Sequence, residues 1–147
     1  ISNFKKEDLK NIFLVQQSRK DDISELTKFY KKINIKFIIK SFFSNIPEEM
    51  NKANIVISRC GASTLSEISV CSKPSILFPL PSAKDNHQYE NALAFSKDNR
   101  CLIFEENKFD VNKITVAINE FIKIPSDANN SKELYSSSEK IIKLLEN

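Results

Sequence analysis

Short apolar runs alternate with longer segments of helical periodicity along most of this 147-residue chain. The runs are brief and rich in β-branched residues, as is typical of strands buried on both faces of a sheet. Such alternation indicates βαβ units, which build a parallel sheet. The sequence therefore predicts an α/β fold, a parallel sheet flanked by helices, with strands at residues 12–15, 36–39, 55–57, 75–78 and 101–104.

The segments between these runs predict the helices. Residues 21–32 carry apolar side chains at spacings of three and four, and Asp21 or Asp22 is able to cap their start. Pro47 and the two acids after it indicate the first turn of a short helix that runs to about residue 53. Polar and small residues at 125–131 predict a linker, so we expect one domain over residues 1–124 and a linker with a terminal helix over 125–147. The remaining helices are predicted at residues 64–72, 86–97, 111–122 and 132–145.

Composition argues against several classes of function. The net charge is +3, but lysines are scattered among acids and only three arginines occur, which argues against a nucleic-acid partner. Three cysteines without CxxC spacing and a single histidine do not make a usual structural zinc site, and we expect reduced thiols in a cytoplasm. No apolar run approaches the roughly 20 residues needed to cross a bilayer, so we expect no transmembrane segment.

The loop around the only glycine, Gly61, is the first candidate site. It follows the strand at 55–57 and precedes a helix, and ligands of open α/β sheets bind at such strand ends. In one interpretation the helix N terminus and the small residues Gly61 and Ala62 admit a diphosphate to the backbone. In the other, Gly61 only permits a tight turn while Thr64 and Glu67 form a capping box. Local chemistry leaves both interpretations open.

A second polar loop follows the strand at 75–78 and leads into another helix. His87 is a candidate general base, but no nucleophile or carboxylate partner is evident beside it, which favours a structural or substrate-positioning role. Asp85 is able to cap the helix that carries His87 and Gln88. The imidazole and amide groups of these two residues both donate and accept hydrogen bonds, which suits a hydroxyl-rich ligand such as a sugar.

Two segments carry a family resemblance. SRCGASTLSE at 58–67 and KPSILFPLPSAKDNHQYENA at 73–92 resemble the signature of the MurG family, the UDP-N-acetylglucosamine transferases of peptidoglycan synthesis. The similarity runs from about residue 12 to residue 105 and includes FFSNI at 42–46. It implies a Rossmann-like domain, the C-terminal, donor-binding half of a GT-B glycosyltransferase.

The resemblance also implies roles for individual residues. Glu67 would bind the ribose hydroxyls of UDP, and His87 and Gln88 would contact N-acetylglucosamine. Phe43 lies where backbone groups of the family read the uracil, and Ile46 would line that pocket. The residues that match Ala62, Ser63 and Thr64 face the diphosphate in the family. Arg59 is matched too, without a specific role, and with Gly61 it completes the expected substrate-binding residues.

The resemblance is confined to one half of the family's proteins. The N-terminal domain that holds the acceptor, lipid I, has no counterpart here, and neither do the first strand and the glycine-rich loop of the C-terminal half. We therefore expect an N-terminally truncated chain that binds UDP-N-acetylglucosamine without a metal or cofactor and contains no catalytic residue. The complete enzyme would be an inverting transferase at the cytoplasmic, inner face of the cell membrane, associated peripherally, and this chain alone would be inactive.

Two alternatives remain. A stand-alone donor-binding subunit of a dolichol-pathway N-acetylglucosamine transferase also has a DNHQ-like segment, although the run GASTLSE at 61–67 favours the bacterial family. The other alternative is a non-catalytic, truncated remnant.

Overall fold

A computed structural model of the chain describes residues 4–83, 86–108 and 110–123. The predicted linker at 125–131 and the predicted helix at 132–145 lie outside the described residues. Within these residues, five strands and six α-helices alternate in chain order, with a 3₁₀ helix at Glu106–Lys108. The elements are α1 (Lys6–Leu9), β1 (Phe13–Gln17), α2 (Lys20–Lys32), β2 (Lys36–Lys40), α3 (Ile46–Lys52), β3 (Val56–Ser58), α4 (Ala62–Cys71), β4 (Ser75–Leu77), α5 (His87–Ser96), β5 (Cys101–Ile103) and α6 (Val111–Ile122).

The chain divides into two compact units, with the boundary between Glu49 and Met50. In the first unit, β1 and β2 form a two-stranded parallel sheet. Helix α2 packs on it through the buried Tyr30, whose ring lies 5.3 Å from that of Phe37 on β2. The hydroxyl of Tyr30 donates a hydrogen bond to the side chain of Gln16 on β1, so this one side chain joins both strands to the helix.

The second unit contains a three-stranded parallel sheet in the order β3-β4-β5. Successive residues of a strand point to opposite faces of the sheet, so Ile76 and Leu77 of β4 enter different layers. Leu77 packs against side chains of α4 and α5, whereas Ile76 packs against Ala117 and Phe121 of α6. Helices thus cover both faces, and the strands follow each other in sequence order.

The parallel order brings the carboxyl ends of all three strands to one edge of this sheet. The backbone N–H of Phe78 donates to the carbonyl of Ser58 at 2.9 Å, and that of Phe104 donates to the carbonyl of Leu77 at 2.9 Å. The loops that leave β3, β4 and β5 consequently start side by side. This edge contains both loops that the sequence singled out.

Parallel strands and flanking helices confirm the predicted fold class, and each predicted strand lies within two residues of an observed one. The strands nevertheless divide into two sheets where the sequence predicts one, because periodicity locates strands but does not specify which of them pair. The helix expected at 21–32 begins earlier, after Arg19, so Asp21 and Asp22 occupy its first turn and do not cap it. The short elements α1 and Glu106–Lys108 were not predicted, since three or four residues show no periodicity.

Candidate functional site

The loop after β3 leads directly into the N terminus of α4. Helix α4 begins at Ala62, and Gly61 is its N-cap residue, with φ −67° and ψ 140°. Because glycine has no side chain, the first-turn N–H groups receive no cap from this position, and no side-chain hydrogen bond within the described residues caps this end. These N–H groups and the helix dipole give the loop a local positive potential.

The backbone of Gly61 does not require glycine. Its φ is negative and thus accessible to any residue, and a Cβ atom added there would meet only the Thr64 hydroxyl oxygen, at 3.9 Å, which is ordinary van der Waals contact. The tight-turn interpretation therefore does not account for the glycine. The absence of a side chain at Gly61 leaves open space next to the loop.

The structure does not support the interpretation in which Thr64 and Glu67 form a capping box. Helix α4 starts two residues before Thr64, which makes Thr64 the third helical residue, while Glu67 lies in the second turn. Side-chain capping of this kind occurs at the start of α3 instead. There the carbonyl oxygen of the Asn45 side chain accepts from the Glu48 N–H at 3.3 Å, and its amide donates to the Glu48 carboxylate at 2.9 Å.

Helix α5 holds the loop after β3 through two amide side chains. The side-chain oxygen of Gln88 accepts hydrogen bonds from the N–H groups of Cys60, at 3.2 Å, and of Leu80, at 3.0 Å. The side-chain amide of Asn91 donates to the Cys60 carbonyl at 3.4 Å. Gln88, predicted as a sugar contact, therefore joins the loops that follow β3 and β4.

Arg59 connects the ends of all three strands. Its guanidinium forms an ion pair with Glu106, in the 3₁₀ helix after β5, and donates to the Phe78 carbonyl at 3.4 Å. Both charged side chains are about half exposed. Arg59, predicted among the ligand-binding residues, is thus engaged within the protein, and an external anion would have to share it with Glu106.

The other predicted residues of the second unit lie in the first two turns of α4 and at the start of α5. Ala62 and Ser63 are exposed and Thr64 is half-buried at the start of α4, while His87 is the exposed first residue of α5. Glu67 is half-buried one turn further along α4. Asp85, the predicted cap of α5, lies outside the described residues, and the N-cap residue is Asn86 in the left-handed region, with φ 54°.

Phe43 and Ile46 belong to the first unit. The Phe43 N–H, expected to read a uracil, donates to the side-chain oxygen of Gln17 at 3.4 Å, and the buried Phe43 ring lies 5.2 Å from the Lys40 ammonium. Ile46 is half-buried and opens α3. The structure places these residues on the segment between β2 and α3.

Three residues of these networks, Gln17, Asn91 and Glu106, were not singled out from the sequence. Asn91 had a usable signal, because it follows Gln88 by three positions and therefore shares a helix face with it. Gln17 and Glu106 had none, since their partners lie 26 and 47 positions away and only the fold brings them together.

The cysteine beside Gly61 is not an activated nucleophile. Cys60 is fully buried, and burial raises the pKa of its thiol to about 11, against a smaller opposing effect of Arg59. Burial, together with the nearby Cys60, raises the pKa of Cys101 to about 12. Both thiols are thus neutral at physiological pH and serve as apolar core groups.

In the part of the chain that the structure describes, no group of three or more His, Cys, Asp and Glu side chains could hold a metal ion. None of the helices described there has the length and apolar content that a membrane crossing requires.

The sequence of this chain is similar to those of known proteins. Residues 1–145 match the sequence model of the glycosyltransferase family 28 C-terminal domain. A UDP-N-acetylglucosamine--N-acetylmuramyl-(pentapeptide) pyrophosphoryl-undecaprenol N-acetylglucosamine transferase of Rickettsia rickettsii (strain Sheila Smith) is 40% identical over 114 residues, which is 76% of this chain and 30% of that protein. The transferase of the same name from Rickettsia canadensis (strain McKiel) is 38% identical over 141 residues, 95% of this chain and 37% of that protein.

The fold is that of a solved relative. The crystal structure of Acinetobacter baumannii MurG matches with a TM-score of 0.72 and 16% identity, over 91% of this chain and 42% of that one. The chain thus spans about a third of the length of its curated relatives. These matches confirm the predicted resemblance to the C-terminal half of MurG proteins, and the chain belongs to the glycosyltransferase family 28 C-terminal domain family.

Proposed function

We propose that this chain binds the UDP-N-acetylglucosamine donor of a glycosyltransferase and that the diphosphate of the donor lies at the N terminus of α4. The observation that supports the proposal is the presence of glycine at position 61. Neither its φ nor its surroundings require glycine, yet a Cβ atom there would lie 3.9 Å from the hydroxyl oxygen of Thr64, in the uncapped first turn of α4. A diphosphate is the kind of group that needs this close approach to backbone N–H donors.

The proposed chemistry is stabilisation of the leaving group. As the bond to the sugar breaks, negative charge develops on the diphosphate, and the first-turn N–H groups with the dipole of α4 lower the energy of that charge. The hydroxyls of Ser63 and Thr64 lie on the same turn and supply two further donors. In this proposal α4 performs the electrostatic task that a divalent cation performs in other transferases.

The rest of the donor is assigned by resemblance. Glu67, one turn beyond the diphosphate, binds the ribose hydroxyls, and His87 and Gln88 at the start of α5 contact the sugar. In the first unit, Phe43 and Ile46 bind the uracil. These five assignments rest on the family motif.

The acceptor and the complete reaction follow from the relatives. The Rickettsia proteins are named for transfer to N-acetylmuramyl-(pentapeptide) pyrophosphoryl-undecaprenol, and we propose the same acceptor, lipid I, for the complete enzyme of which this chain is the donor-binding part. The acceptor hydroxyl attacks the anomeric carbon with inversion and UDP leaves. Because that acceptor is a lipid, we place the complete enzyme peripherally at the inner face of the cell membrane. The matches to bacterial transferases favour this function over a dolichol-pathway subunit.

Titration calorimetry of the chain with UDP tests the proposal. Wild-type protein is expected to bind UDP, and Gly61→Ala is expected to weaken binding by about tenfold or more, since a methyl group would displace the diphosphate from the backbone. Ser69→Ala, on the exposed side of the same helix, is the matched control and should bind like wild type. Lack of UDP binding by the wild-type protein at millimolar UDP would contradict the proposal, and so would an unchanged UDP affinity in Gly61→Ala.

A further inference from the structure

One side-chain oxygen joins the two loops of the proposed donor site. The Oε1 atom of Gln88 accepts from the N–H of Cys60 in the loop after β3 and from the N–H of Leu80 in the loop after β4. An amide oxygen has two lone pairs, and these two bonds use both. The position of each loop at the strand ends therefore depends on the same atom.

Asn91 completes the attachment from the same face of α5. It lies three residues beyond Gln88, so both side chains point the same way, and its amide donates to the Cys60 carbonyl. The backbone N–H and C=O of Cys60 are thus both held by α5, and its side chain is fully buried in the core. Because Gly61 is the next residue, the location of the N terminus of α4 is tied to α5.

We propose that Gln88 is a positioning residue for the diphosphate: its side-chain oxygen fixes the Gly61 loop against the loop after β4, in addition to the sugar contact that the family resemblance implies. The inference rests on the proposed donor site. Since the oxygen is used by two backbone donors, only the NH₂ group of Gln88 is left to contact a ligand. Gln88 therefore presents hydrogen-bond donors alone, and the sugar atom that it contacts must be an acceptor.

The two roles of Gln88 differ in how UDP without a sugar should respond. A residue that only contacts N-acetylglucosamine has no effect on UDP affinity when it is replaced. A residue that fixes the Gly61 loop affects UDP and UDP-N-acetylglucosamine alike, because both carry the diphosphate. In Gln88→Met, which keeps the side-chain length and removes the acceptor, we expect both affinities to fall by about tenfold or more.

The experiment compares Gln88→Met, Gln88→Glu and the control Asn99→Ala in the full chain. Asn99 lies just beyond α5, and its side-chain amide donates to the Phe95 carbonyl at 3.1 Å, at the end of the helix that is remote from Gln88. Calorimetry gives the affinities for UDP and UDP-N-acetylglucosamine, and amide hydrogen exchange by NMR reports on the Cys60 and Leu80 N–H groups. We expect faster exchange of both amides in Gln88→Met, wild-type protection in Gln88→Glu, which keeps an oxygen acceptor, and no change in Asn99→Ala.

Unchanged UDP affinity in Gln88→Met with reduced UDP-N-acetylglucosamine affinity would overturn the positioning role and leave the sugar contact. If Gln88→Met does not fold, Gln88→Glu tests the positioning role by itself. This variant keeps an oxygen acceptor, so loss of exchange protection at the Cys60 and Leu80 N–H groups would overturn the positioning role. Failure of the proposed function is a separate result: wild-type protein would then bind neither nucleotide, while the exchange data would still test whether Gln88 holds the two loops.

Discussion

Arg59 and Glu106 form an ion pair between the segments that follow the first and the last strand of the β3-β4-β5 sheet. The same guanidinium donates to the Phe78 carbonyl after the middle strand. One side chain thus spans the edge at which the proposed donor site lies. Because both charged groups are about half exposed, water screens their attraction. The pair therefore contributes little to the free energy of unfolding, and its main effect is to hold the two segments next to each other.

We expect a weak energetic coupling between Arg59 and Glu106. In a double-mutant cycle of Arg59→Met and Glu106→Gln, followed by urea unfolding, the coupling free energy should be below about 1 kcal/mol, as for other solvent-exposed pairs. A coupling above about 2 kcal/mol would show that the pair is effectively desolvated, contrary to the exposure of its side chains.

Glu67 should affect binding without affecting folding. Its carboxylate lies in the second turn of α4 and does not cap the helix, so Glu67→Gln should change the free energy of unfolding by less than about 0.5 kcal/mol. Loss of charge-assisted hydrogen bonds to the ribose should lower UDP affinity by about tenfold or more. Glu90→Gln, an exposed acid on α5, is the control for calorimetry and unfolding. A stability loss in Glu67→Gln as large as that of a lost helix cap, with UDP affinity retained, would restore the capping interpretation.

Among the residues of α6, Phe121 is expected to contribute most to the free energy of unfolding. It is fully buried against Ile76 and Leu102, and the Arg100 guanidinium lies 5.0 Å from its ring centre. Phe121→Ala should cost about 3–5 kcal/mol, because it removes this packing and leaves a cavity. Val116→Ala on the exposed side of α6 should cost less than about 1 kcal/mol in the same urea titrations. A loss below about 1 kcal/mol for Phe121→Ala would contradict its place in the core.

Cys60 should make the protein less stable at high pH. Its folded pKa of about 11 lies above the ordinary value of 9.0, so the folded state holds the proton more tightly than the unfolded state does. Stability from this group is fully present below about pH 9 and is lost as the pH rises toward 11, where only the unfolded thiol ionises at first. In Cys60→Ala the decline of unfolding free energy between pH 8 and about pH 10.5 should be shallower than in wild type. Parallel declines would show that Cys60 contributes no proton linkage.

Much of the candidate site was predictable from local chemistry and resemblance. The loop at Gly61 and the loop before His87 were located from strand runs followed by polar residues, and the structure places both at one edge of one sheet. The resemblance added the individual roles, which stay predictions. The interpretation from local chemistry failed at Thr64, where the result depended on the exact start of a helix. Capping requires a particular residue at the helix start, and sequence periodicity locates that start only to within about two residues.

The sequence by itself determined the kinds and the order of the five strands and of helices α2 to α6. The β-branched runs became strands within two residues of their predicted positions, and α6 has the predicted bounds, Val111–Ile122, with Asp110 accepting hydrogen bonds from two first-turn N–H groups. These features depend on the preferences of neighbouring residues, which the sequence contains directly. Only the tertiary structure decided the division of the strands into two sheets, the pairing of Arg59 with Glu106, and the attachment of Cys60 to Gln88, 28 positions away. Hydrogen bonds and ion pairs act over about 3 Å, so their partners are set by the path of the chain in space and not by distance along it.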